Sequence, residues 1–341
     1  MKPGNLLALL LLTVAFAPGS ALAGESDEDD ARTGAEWLEY MAASSDQVHY
    51  SGTYVHSERG AMRTLRVIHR ADSEGSQERL ISLTGARQEI LRDRGKVRCI
   101  HEEDQEEQQD LRHTSARFLA QIARDGVSEF EGHYQILDLG QDRVAGRDCH
   151  VVGLKPKDDL RYGLRFWIDT ETGLPLRTDL VDHEGETRRK VMFTEFQHRE
   201  EIGDEELKPE LDEGQGGYTS RKASFKGRES VGAGDPVELE DWSIKELPEG
   251  YRAHAADADG RHNKLHHLIV TDGVARISIF AEPVDENEEV MEGLSRMGTT
   301  NAYGRVLNGY QLTVVGEAPA AAVQKIAEAV GQVPEGAGNA E

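Results

Sequence analysis

The sequence predicts an α+β protein: a large body of mainly antiparallel β-strands with one or two covering helices, then a smaller α+β domain. Three observations predict it. Strand-type alternation of apolar residues recurs from Val48 to Phe196, and only Arg117 to Arg124, with Phe118, Leu119 and Ile122, interrupts it at helical spacing. From Arg199 to Asp235 acids and glycines replace the apolar residues that a core needs. Alternation returns at Val237 and closes in a helical pattern from Ala318 to Val330 that carries Val323, Ile326 and Val330.

In chain order, Lys2 precedes the apolar run Leu6 to Phe16, and Ala21-Leu22-Ala23 ends in small residues before Gly24. That order reads as a secretory signal peptide, residues 1–23, cut after Ala23. The residue after the cut is Gly and not Cys, so it offers no thiol for lipoprotein acylation. Residues 24–200 form the expected first domain. After the acidic stretch Glu25 to Asp30, the helical spacing of Trp37, Leu38 and Met41 predicts a helix over 34–43. Strands are expected in runs around Val48 to Tyr54 and at 62–70, 80–83, 96–100, 134–139, 144–154, 162–168, 174–181 and 190–196. Turns are expected at Asp169 to Gly173 and His183 to Gly185.

Residues 201–236 read as an acidic, Gly-rich linker, and 237–332 as the smaller domain, with a flexible tail at 333–341. In that domain strands are expected at 242–247, 265–271, 275–282, 302–307 and 310–316, and Asn308-Gly309 is a strong hairpin signal. Pro319 falls in the first turn of the closing helix.

Charge narrows the function. Against 39 Lys and Arg stand 63 Asp and Glu, a net charge of -24, and nucleic-acid binding relies on clustered cations. Nucleic acid is therefore excluded as a partner, and no membrane span is expected, since no run of about 18 apolar residues occurs. Metal and catalytic signatures are also missing. His262, His266 and His267 lie near Asp257 and Asp259, but alternation puts the two adjacent histidines on opposite faces of a strand. The acidic run Glu102, Glu103, Asp104, Glu106 and Glu107 lacks the glycine and spacing of a calcium loop. No catalytic residue, metal site or cofactor is expected, and the chain reads as a binding protein and not an enzyme.

The two cysteines, Cys99 and Cys149, both fall in expected strands of an exported chain, so a disulfide is expected between them, with two buried thiols as the rival reading. A loop of that length corresponds to roughly 4 kcal/mol of chain entropy if the native geometry is unstrained.

Ordered fragments give the reading its specificity. Arg79-Leu-Ile-Ser-Leu-Thr-Gly85, Glu89-Ile-Leu-Arg-Asp93, Lys96-Val-Arg-Cys99 and Arg143-Val-Ala-Gly-Arg-Asp-Cys149 resemble the MucB/RseB family of periplasmic regulators of the envelope-stress sigma factor, sigma-E or AlgU. Tyr162-Gly-Leu-Arg-Phe-Trp-Ile-Asp169, Leu247-Pro-Glu-Gly-Tyr251, Thr271-Asp-Gly273, Gly293-Leu-Ser-Arg-Met-Gly298 and Asn301-Ala-Tyr-Gly304 extend the likeness through the second domain. The resemblance implies a large domain like the LolA/LolB lipoprotein carriers, a curved antiparallel half-barrel with helices. It also implies a periplasmic negative regulator that binds the periplasmic region of an anti-sigma factor of the MucA/RseA type, shields it from site-1 proteolysis and is released by lipid, lipopolysaccharide or lipoprotein acyl chains. The competing reading is a lipid or lipoprotein carrier, and a homo-oligomer is a further option. The carrier-like domain implies an apolar cavity, for which Tyr50, Tyr54, Leu65, Val67, Leu80, Phe118, Leu119, Ile122 and Trp167 are the candidates. Partner contacts are expected at Arg296, Thr299, Thr300, Asn301 and Tyr303, polar residues of exposed type around an aromatic anchor.

Overall fold

The computed structural model describes residues 32–45, 47–58, 60–72, 75–94, 96–102, 132–211, 218–224, 242–244, 246–255, 266–284 and 290–332. The signal peptide, the 117–124 helix and the acidic run after Glu102 lie outside these residues. From Thr33 onward the chain forms one compact unit.

The first part runs α1 (Gly34–Ser44), β1 (Tyr50–Glu58), β2 (Ala61–Asp72), β3 (Gly75–Ser82), β4 (Gln88–Asp93), β5 (Lys96–Glu102), β6 (Tyr134–Val144), β7 (Arg147–Pro156), β8 (Gly163–Asp169), β9 (Pro175–Val181), β10 (Thr187–His198), α2 (Asp204–Leu207) and β11 (Tyr218–Ser224). All eleven strands join one sheet in the order β11-β5-β4-β3-β2-β1-β10-β9-β8-β7-β6. Every pairing is antiparallel, and among the described residues no pairing links the two ends, so the sheet is open. The second part runs β12 (Trp242–Ile244), β13 (Arg252–Ala255), β14 (His266–Thr271), β15 (Arg276–Pro283), β16 (Gly293–Met297), β17 (Thr300–Leu307), β18 (Tyr310–Gly316), α3 (Ala320–Ala329) and β19 (Val330–Gln332). Six of these strands form a sheet ordered β13-β14-β15-β18-β17-β16, and β12 pairs with β19. The expected fold class, a large open antiparallel sheet plus a smaller α+β domain, is the one observed.

Local chemistry accounts for the elements. Thr33 caps α1: its hydroxyl accepts from the Glu36 amide, while Glu36 reaches back to the Thr33 amide at 2.6 Å. The helix buries Trp37, Leu38 and Met41, and Trp37 stacks on His150 of β7 at 4.8 Å between centroids. Asn308 and Gly309 both take positive φ, as the hairpin signal demands. Ala145 and Gly146 do the same, so the single strand expected over 144–154 is broken by a turn that starts β7 at Arg147. Pro319 stands before α3 with extended ψ and not inside its first turn.

One face of the large sheet carries its core. Register aligns Phe196 of β10, Gly52 of β1, Val67 of β2, Leu80 of β3, Ile90 of β4 and Cys99 of β5 in a row across the strands. Phe193 and Phe196 share that face although three residues apart, because the β1–β10 ladder bulges at Thr194. Their rings meet edge to face at 5.5 Å. Gly52 leaves room for them: a Cβ there would stand 2.4 Å from the Glu195 carbonyl oxygen and 3.0 Å from the Phe193 ring.

Two expectations are corrected here. No disulfide joins the cysteines, and both are buried thiols. Cys99 is on β5 and Cys149 on β7, and the sheet order sets β4, β3, β2, β1, β10, β9 and β8 between them. Burial and the nearby Asp169 carboxylate push the Cys149 thiol up to about 12, which keeps it protonated and unreactive. The acidic run expected to be a linker is in part structural. Ile202 and Leu211 are buried, Arg70 donates to the Ile202 carbonyl at 3.0 Å, and the Glu89 carboxylate accepts from the amides of Glu210 and Leu211, each at 3.1 Å. Glu89 is held in turn by Arg79 at 3.0 Å, both nearly fully buried. Further on, β11 pairs along β5 and forms that edge of the sheet. Composition misleads because backbone pairing and two buried anchors need few apolar residues.

Gly52→Ala is expected to destabilise the protein by about 1–3 kcal/mol through overpacking. Gly132→Ala, with nothing within 4 Å of the added Cβ, is expected to stay within about 0.5 kcal/mol. Urea unfolding midpoints for the two variants measure the contrast.

Candidate functional site

The chemistry of this molecule concentrates where loops of the large sheet meet turns of the smaller one. Residues 157–162 join β7 to β8, and within them Arg161 is completely buried, as is Asp272 in the β14–β15 turn. Arg161 Nε donates to Asp272 Oδ2 at 2.8 Å, Nη2 donates to the Glu249 carbonyl at 2.5 Å, and Nη1 pairs with Asp158. The Tyr251 ring lies 4.7 Å from the guanidinium carbon. Asp272 is fixed by its own turn, since Oδ1 accepts from the amides of Val274 at 3.0 Å and Ala275 at 2.7 Å. Tyr251 closes the group by donating to the Leu160 carbonyl at 2.9 Å. Burial first and the Asp272 charge second hold the Tyr134 and Tyr251 phenols far above the usual tyrosine range, so both remain neutral donors.

A second group lies at the β16–β17 hairpin. Glu317, just past β18, accepts from Arg189 Nη1 of β10 at 2.5 Å and from the Thr299 hydroxyl. The Thr299 amide donates to Glu58 Oε1 of β1 at 2.7 Å. Gly298 makes that approach feasible: its φ is 71°, and a Cβ would stand 2.1 Å from the Glu58 oxygen. Asn301 Nδ2 donates to the Ala318 carbonyl at 2.7 Å and to the Tyr162 hydroxyl at 3.3 Å. His56 of β1 sits beside this group, and burial, then the Arg189 charge, lower its pKa and keep it neutral at pH 7.

Expected partner contacts divide accordingly. Thr299 and Asn301 are each 4% exposed and bond to the large sheet or to the chain after β18, so they are not the surface residues expected. A polar residue in a tight turn satisfies buried groups as readily as a partner. Tyr303 is half-buried against the smaller core, Thr300 is half-buried, and Arg296 is exposed.

Among the cavity candidates, Tyr50, Tyr54, Leu65, Val67 and Leu80 are buried in the larger core on one face of the sheet. Trp167 is on the other face. Register carries Tyr54 through Phe193 and, two residues along each strand, Val191, Thr178 and Phe166, and Trp167 follows Phe166 with opposite parity. There its Nε1 donates to Asp142 at 2.8 Å, under the Arg177 guanidinium at 3.8 Å. Phe118, Leu119 and Ile122 lie outside the described residues. Among the described residues no group of three His, Cys, Asp or Glu side chains could hold a metal ion, and no helix is long and apolar enough to cross a membrane.

Comparison with known proteins covers both sheets. The MucB/RseB N-terminal domain model matches residues 33–211, and the MucB/RseB C-terminal domain model matches residues 236–331. The chain belongs to the MucB/RseB family. Within this family it is 28% identical over 329 residues to the sigma factor AlgU regulatory protein MucB of Pseudomonas aeruginosa, covering 94% of this chain and 95% of MucB. It is 25% identical over 297 residues to the sigma-E factor regulatory protein RseB of Haemophilus influenzae, covering 86% and 89%. A crystal structure of MucB in complex with MucA(peri) superposes with a TM-score of 0.65 at 25% identity, over 88% of this chain and 99% of that one. The large and small sheets of this MucB/RseB-family chain therefore share their fold with a protein whose structure includes a bound partner.

Arg161→Met keeps the length of the side chain but leaves Asp272 charged and buried without its cation. The expected loss is about 3–5 kcal/mol of folding stability, measured by chemical denaturation with wild type as reference.

Proposed function

We propose that this protein is a periplasmic regulator that binds the periplasmic region of a membrane-anchored anti-sigma factor of the MucA/RseA type and shields it from the protease that makes the first cut. One observation carries the reading: both domain models match in order, and the fold aligns over nearly the whole of MucB as it stands in complex with MucA(peri). The signal peptide expected at residues 1–23 supports periplasmic placement. The task needs no catalytic group. It needs a surface that orders a flexible segment, and sufficient contact to offset the entropy that ordering costs.

Release by envelope lipid, lipopolysaccharide or lipoprotein acyl chains completes the proposal. Its support is the apolar face of the large sheet, where Tyr50, Tyr54, Leu65, Val67 and Leu80 gather. An acyl chain that binds one conformation better than another shifts the population toward it, and the buried Arg161 pair and the half-buried Glu317 pair give such a shift a path to the smaller sheet. A lipid carrier would use the large sheet and leave the match over 236–331 without a role.

The test combines mature protein, the soluble periplasmic segment of the anti-sigma factor, and the site-1 protease. Full-length protein is expected to bind the segment and slow its cleavage, and lipopolysaccharide or lipoprotein is expected to restore cleavage. Cleavage at the same rate with and without the protein contradicts the proposal.

A further inference from the structure

Val290, Leu294, Met297 and Val306, four of the large apolar side chains that the structure leaves exposed, occur at or beside the β16–β17 hairpin. Leu294 is 43% and Met297 68% exposed. β16 is also the last strand of its sheet, so among the described residues one of its edges carries no neighbour.

The ladder shows what that edge offers. β16 pairs with β17 from Gly293 with Gly304 to Met297 with Thr300, across the two-residue turn Gly298-Thr299 and without a register shift. In such a hairpin the closing pair exchanges its hydrogen bonds and the next pair does not. Alternation therefore turns the backbone N–H and C=O of Arg296 and Leu294 away from β17. Side chains alternate as well. Leu294 stands opposite Tyr303, which packs on the core beneath α3, and Met297 stands opposite Thr300 on the other face. The edge therefore offers an apolar side chain on each face beside its outward backbone groups. Proteins usually blunt such edges with lysine, proline, a bulge or a cover; the strand Gly-Leu-Ser-Arg-Met has one charge, Arg296, and no proline.

We propose that β16 receives an extended segment of the anti-sigma factor as an added strand, an inference that rests on the regulator reading above. The segment would be neutral or basic and apolar at alternate positions. Charge selects this occupant over a second copy of the chain: two copies at a formal -24 each repel, while a basic segment is attracted. The edge is also held in place for the purpose. Thr299 is bonded to Glu58 of the β1–β2 hairpin, where Met62, 68% exposed, adds apolar surface. A segment paired along β16 has its backbone groups occupied, and cannot pair as a strand in a protease cleft.

The experiment is amide hydrogen exchange on the full-length chain with and without the soluble periplasmic segment, together with binding of three variants. The amides of Leu294 and Arg296 are expected to exchange at least about tenfold more slowly in the complex. Leu294→Pro and Arg296→Pro each remove an outward N–H without breaking the β17 ladder, and each is expected to weaken binding about tenfold or more. Arg296→Gln keeps the N–H and is expected to change affinity by less than about threefold. If the segment binds while both amides exchange as before and the proline variants bind like wild type, the strand-addition proposal fails and the regulator reading stands. If the wild-type chain has no affinity for the segment, both fail. Slowed exchange that appears on concentrating the chain alone, with a dimer in sedimentation, assigns the edge to a second copy and overturns the proposal.

Discussion

The arrangement of the two sheets depends on one fully buried ion pair, Arg161 with Asp272. Two charges out of water are costly, and their attraction offsets that cost only where the remaining donors and acceptors are satisfied. Here they are. Asp272 accepts from two amides of its own turn as well as from Arg161, and the guanidinium spends its other nitrogens on Asp158 and the Glu249 carbonyl. Apolar packing follows the same seam in both directions: Leu160 of the large sheet packs on the smaller core, and Val274 of the smaller sheet packs on the larger one. The ion pair, its flanking hydrogen bonds and this apolar seam are satisfied together in the one mutual placement observed.

Much of the secondary structure was legible in the sequence, for reasons that also explain the failures. Trp37, Leu38 and Met41 announce α1 because a helix with one buried face repeats its apolar residues, and Asn308-Gly309 announces a hairpin because few residues accept positive φ. Ala145-Gly146 makes the same turn without the asparagine that marks such a turn in sequence. β16 was invisible for a different reason: its residues are exposed, so no core-facing alternation marks them. Polar composition hid β11 as well, since an edge strand is held by backbone bonds that composition does not record.

The site was less legible than the fold. Arg161 and Asp272 are 111 residues apart, and a charged residue in a loop reads as solvated until the fold supplies its counterion. The Asp272-Gly273 turn was within a fragment that carried the family resemblance, yet nothing in it named a partner. Thr299 and Asn301 erred in the other direction. Their polarity suggested a surface, whereas Glu58, Glu317 and the Ala318 carbonyl use it internally. Register also divided a set that composition had grouped, leaving Trp167 under Arg177 on the face away from Tyr54.

A binding surface for a flexible segment needs a rigid frame, and here the frame is two cores joined by buried polar groups. Whether they act as one body is open to a direct measurement. Differential scanning calorimetry of the wild-type chain at neutral pH should give a single transition, with calorimetric and van't Hoff enthalpies equal, because neither core can unfold without exposing the other's share of the Arg161 and Glu317 groups. Two resolved transitions, one for each sheet, would contradict the account.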